Sequence, residues 1–98
     1  MTMPAPQRYS VRGLHRRAME VAHDGMDHRA AGDFSAAASA FAAAHHLELA
    51  ALRIALRSAV SRPTAVVLAS SARCLREAAE TCRAKAEASE IEATRWRG

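Results

Sequence analysis

The chain predicts an all-α domain of antiparallel helical hairpins, with three to four helices, and three observations carry that prediction. The run Ala30-Ala31-Gly32-Asp33-Phe34-Ser35 spells a helix end, a tight turn and a helix start. Apolar residues on either side of it recur at spacings of three and four, the period of one helix face. About a quarter of all residues are Ala, the strongest intrinsic helix former.

A length of 98 residues suits one domain. Leu, Ile, Val and Phe together make up only about a sixth of the chain, low for a folded domain. The expected core is therefore thin, and either the monomer is marginal or a partner completes it. A disordered chain is excluded, because the net charge is only +4 and the apolar residues are periodic.

Residues 1–8 read as a Pro-bearing tail, 9–95 as a single helical domain and 96–98 as a C-terminal tail. The first helix is expected to begin at Tyr9 or Ser10, a good cap residue, and to run to Ala31. Its buried stripe is Leu14, Ala18, Val21 and Gly25, with Met19, Ala22 and Met26 beside it. Gly32 ends it by supplying a positive φ, and Asp33 or Ser35 caps the next helix. So short a connection forces the two helices to be antiparallel neighbours.

The second helix is predicted over Phe34 to Val60, with an apolar stripe of Phe34, Ala38, Phe41, His45, Leu49, Leu52, Leu56 and Ala59. A third opens at Pro63 or Thr64, since Pro is tolerated at the first helical position. It buries Val67, Leu68, Ala72, Leu75 and Ala79. Beyond Ala78 the sequence has high helix propensity and neither Gly nor Pro before Gly98. A break near Glu80, with Thr81 capping a fourth helix, is expected there, because an unbroken helix would leave half its length without a packing partner.

Charge is banded along the chain. Arg8, Arg12, Arg16 and Arg17 precede Glu20 without an acid among them, and the stretch from Glu20 to Glu48 is acidic. From Leu49 to Arg76 every charge is an Arg: Arg53, Arg57, Arg62, Arg73 and Arg76. Such blocks suit self-docking or an acidic partner.

Cys74 and Cys82 make no Cys-x-x-Cys pair and argue for neither a zinc site nor a disulfide framework. Aromatic residues do not interleave with the arginines, so stacking platforms for single strands are missing. No helix-turn-helix spacing with a recognition helix is present, which argues against nucleic acid as a partner. No apolar run reaches membrane length and the start lacks a signal-like apolar region, so no membrane is expected and the cytoplasm is the expected location. No nucleophile turn or phosphate-cradling Gly-rich loop is found, and neither an enzyme nor a bound cofactor is expected.

The Gly32-Asp33-Phe34 turn, followed by Ala37, Phe41 and Ala44, resembles the second half of a tetratricopeptide repeat. Gly25 falls where that repeat's first helix carries a small residue, while Asp24 and His28 stand where Leu and an aromatic are usual. Glu80-Thr81-Cys82 resembles a second copy of the turn that has lost its Gly, with Lys85 in place of a small residue. Arg16 to Glu20, Ala31 to Phe34, Leu47-Glu48, Pro63-Thr64, Val67-Leu68 and Ser71-Ala72 together are similar to a group of short bacterial tetratricopeptide-like proteins of uncharacterised function. That likeness spans roughly residues 14 to 88. It implies a fold of two helical hairpins and no activity.

Three constellations could carry chemistry. Glu20 and His23 have the Glu-x-x-His spacing of di-iron bundles, and His45 and Glu48 lie across the hairpin, which together form a candidate metal set. The chain holds one such motif where those sites need two, and i,i+4 pairs on an exposed face are the plainer reading. His45, between Phe41 and Leu49, reads as a core or interface histidine hydrogen-bonded at one nitrogen. The Arg-rich start, including Arg12 and Arg16, could meet nucleic acid, anionic lipid or an acidic protein surface. The expected function is a protein-interaction or scaffolding module, possible as a homodimer. It would take a partner helix or peptide between the first and third helices, with Arg53, Arg57 and Arg73 gripping carboxylates. A helical metal-binding protein and a nucleic-acid-associated protein are the alternatives.

Overall fold

The computed structural model describes residues 10–60 and 65–97, the side chains of 58–60, 65–71 and 97 excepted. It is all-helical: α1 spans Val11–Ala30, α2 spans Phe34–Val60 and α3 spans Ala65–Arg97. Among the described residues there is no strand, and no helix is long and apolar enough to cross a membrane. The expected start of the third helix at Pro63 or Thr64, and the burial of Val67 and Leu68, fall outside what is described.

Local chemistry sets the first hairpin. Ser10 Oγ accepts from the Gly13 N–H at 2.9 Å and caps α1. At the other end Gly32 takes φ 81°, the left-handed conformation that a side chain would resist. Its N–H bonds to the Arg29 carbonyl at 3.0 Å and the Asp33 N–H to the His28 carbonyl at 2.9 Å, the paired bonds of a Schellman ending. Asp33 rather than Ser35 is the observed cap of α2, its Oδ1 accepting from the Ala36 N–H at 3.2 Å.

The helices form a thin arrangement, with Cα extents of 54 × 35 × 15 Å. Both α1 and α3 pack extensively on α2, whereas they scarcely touch each other. Being flanked on two sides, α2 buries a wider arc than a single stripe. One edge of the arc faces α1 and includes Glu48, and the other faces α3 and includes His45. The predicted row was correct at Ala38, Phe41 and Leu52, but Leu56 is 43% exposed. The buried row instead continues through Ala37, Ala44, Ala51 and Ala55. Among the described residues, eight of the thirteen buried apolar side chains are Ala. Small side chains let the axes approach, at the cost of little apolar area per residue.

The expected break at Thr81 does not occur. Helix α3 runs on through Glu80 and Thr81, whose hydroxyl donates to the Glu77 carbonyl within the helix at 3.0 Å. It continues past Trp96, which the sequence reading had placed in a tail. The reason is that α2 is long enough to supply the partner thought to be lacking. The second half of α3 returns along the first half of α2, burying Ala79, Cys82 and Ser89, and Lys85 Nζ reaches 5.9 Å from the centre of the Phe41 ring.

Ser89 is fully buried and its Oγ has no hydrogen-bond partner among the described residues. An unsatisfied buried hydroxyl costs more than a methyl group of similar size. Ser89→Ala is accordingly expected to stabilise the protein by about 1 kcal/mol, raising the thermal midpoint by about 4–8 °C. A circular-dichroism melt reads this directly, and an unchanged or lower midpoint would contradict it.

Candidate functional site

The four residues of the candidate metal set are engaged in different tasks. Glu20 is exposed and pairs with Arg17 on its own helix at 3.3 Å, and His23 is exposed on the following turn. His45 is half-buried, and its Nδ1 donates to the Ala79 carbonyl of α3 at 2.9 Å. This bond fixes the ring between α2 and α3. The His46 ring lies beside it, with centroids 5.4 Å apart. Among the described residues, no group of three or more His, Cys, Asp or Glu side chains could hold a metal ion.

Glu48 is the unusual member. It is only 2% exposed, and both of its carboxylate oxygens lie 2.9 Å from Nδ1 of His15 on α1. A buried carboxylate needs a hydrogen-bond donor, and His15 supplies one across the helix interface. The sequence reading passed over His15. The signal available was Glu48 itself, an acid in the row Phe41, Ala44, Ala51, Ala55, which demands a donor from the facing helix.

Helix α3 brings Cys82 close to the same carboxylate. Burial first, and then the negative charge of Glu48, push the Cys82 thiol above its ordinary range, with Lys85 opposing. The thiol therefore stays protonated and is a weak nucleophile. On the exposed side of α3, Arg83 bridges Glu80 at 2.7 Å and Glu87 at 2.6 Å. The hydrogen bond from Arg83, reinforced by its charge, holds the Glu80 carboxyl below the usual carboxylate range.

Two surface features remain. A groove of about 410 Å³ runs between the first half of α2 and the second half of α3. Ala38, Ala42, Ala86 and Ala93 line it with small side chains, and Arg83, Glu87 and Glu90 are the charged residues that line it. The arginines picked from sequence, Arg12, Arg16, Arg53, Arg57 and Arg73, are all exposed, and none of them lines this groove. Among the described residues this groove lies between α2 and α3 and takes no residue from α1. No protein-family model, curated protein or solved structure matches the chain.

Proposed function

We propose that the chain is a tetratricopeptide-like interaction module without catalytic chemistry of its own, which takes a partner helix or peptide against the α2–α3 groove. The observation that supports this reading is the groove's floor. Alanines at Ala38, Ala42, Ala86 and Ala93 leave room for another helix to approach closely, as the same residue type does inside the fold. Of the charged residues lining the groove, Arg83 and Glu87 pair with each other, and Glu90, which makes no ion pair with a described residue, favours a partner with a basic residue flanking its apolar face.

A second copy is the simplest partner, so self-association tests the reading. Light scattering behind size-exclusion chromatography is expected to show a dimer in exchange with monomer, with a melting temperature that rises with protein concentration. Ala42→Trp, which fills the groove, is expected to yield a monomer whose melting no longer depends on concentration. A wild-type protein that stays monomeric at all concentrations and melts high would remove the basis for self-association.

A further inference from the structure

The antiparallel order of the helices brings together arginines that are far apart in sequence. Leu14, Ala51, Leu52, Ala55, Ala72 and Leu75 form one buried cluster, so the start of α1, the end of α2 and the first part of α3 meet at one end of the molecule. Around that cluster α1 carries Arg12, Arg16 and Arg17, α2 carries Arg53 and Arg57, and α3 carries Arg73 and Arg76. All seven are exposed, and each lies within three residues of a cluster member. The acids within the same reach are Glu48, buried on His15, and Glu77.

These guanidinium groups are poorly neutralised by the protein itself. Arg17 pairs with Glu20, and the other six make no ion pair with a described residue. The opposite end is different, since Arg83 bridges Glu80 and Glu87, and Arg95 meets Glu92. Asp24, Asp27 and Glu90 at that end are exposed and make no ion pair with a described residue, so a second copy docking head to tail would offer three carboxylates to seven arginines and neutralise this end only in part. The charge imbalance therefore calls for an external polyanion.

Chemistry narrows the class. Arginine binds phosphate oxygens in pairs and keeps its charge at any relevant pH. An anionic membrane would need bulky apolar side chains to insert beside the charges, and among the described residues Leu56 is the one exposed large apolar side chain at this end. Single strands need aromatic platforms, and none lies near this cluster among the described residues. The chain contains no Asn and a single Gln, Gln7, so the side chains that read adenine edges are nearly absent.

We propose that this arginine end docks on the phosphate backbone of duplex nucleic acid, without regard to base sequence. The surface is separate from the α2–α3 groove, and the proposal goes beyond the interaction module argued above. The helices join Arg53, Arg57, Arg73 and Arg76 to the Arg-rich start, which by itself is a weak basic segment.

The test is fluorescence anisotropy of a short labelled DNA duplex titrated with the full chain across a salt series. With about four phosphates contacted, affinity is expected to fall about a hundredfold between about 50 and about 200 mM salt. Two variants, R53Q/R57Q and R12Q/R16Q, are each expected to weaken binding by about tenfold and to reduce the salt slope by about two. Two duplexes of unrelated sequence are expected to bind alike, and R29Q/R95Q, which removes two exposed arginines at the other end, to bind as the wild type. All of the exchanged residues are exposed, and far-UV circular dichroism confirms that each variant is folded. Absence of saturable binding at low salt, binding indifferent to salt, or both arginine variants binding like the wild type would each overturn the proposal. So would tighter binding to phosphatidylserine vesicles than to the duplex.

Discussion

Phe41→Ala is expected to cost about 3–5 kcal/mol of stability, the largest loss from any single truncation among the described residues. Phe41 is 1% exposed and is the largest fully buried side chain among the described residues. Its ring fills the space over Gly25 of α1, where an added Cβ would come within 3.0 Å of the ring carbons. The same ring faces α3 through Lys85. Since most of the remaining core is Ala, no neighbour is large enough to refill the cavity, and collapse around it is limited by helices already in close approach. Small domains hold roughly 5–15 kcal/mol in total, so the variant is expected to melt roughly 15 °C or more below the wild type. Thermal and urea unfolding followed by circular dichroism measure this. A loss below about 1 kcal/mol would mean that the ring is not the pivot of the packing described here.

His15→Ala comes second, at about 2–3 kcal/mol. The variant leaves the Glu48 carboxyl buried without its donor, and the penalty is that of an unsatisfied buried polar group rather than of the lost bond alone. The side chain of His15 is 41% exposed and that of Glu48 only 3%, so water reaching from the His15 side holds the cost to the lower part of the range for buried pairs. The expectation can be separated from simple loss of imidazole packing by a double-mutant cycle. His15→Ala with Glu48→Leu is expected to recover most of the loss, since an apolar group of similar size needs no donor. If the double variant is as unstable as His15→Ala alone, Glu48 is not the source of the penalty.

The hairpin was legible in the sequence because its determinants are local. Gly32 alone supplies the left-handed residue, and Asp33 alone the cap, so the turn and both flanking helices could be read from neighbouring residues. The continuity of α3 could not be read in that way. Whether Thr81 caps a new helix or lies inside an old one depends on what packs against Cys82 and Ser89, and that partner is the first half of α2, about forty residues earlier. The role of Glu48 was hidden for the same reason. By residue type it suggested a ligand, whereas its environment is set by His15, separated from it by 33 positions. His45 was legible because its position on the apolar row limits it to one bond across the interface, and the Ala79 carbonyl provides that bond. The arginine end was half legible. The bands can be counted in the sequence, but only the antiparallel order places the first beside the second.

The near absence of contact between α1 and α3 means that each outer helix is held by α2 alone. In thermodynamic terms each is a tethered ligand, kept in place by the high effective concentration that a short connection provides. The α1–α2 interface is thus itself a model of how this surface selects a helix. It prefers one that offers a glycine opposite Phe41 and, ten residues before it, a histidine for Glu48. A helix with those two features on one face, supplied from another chain, would compete with α1 for the same seat.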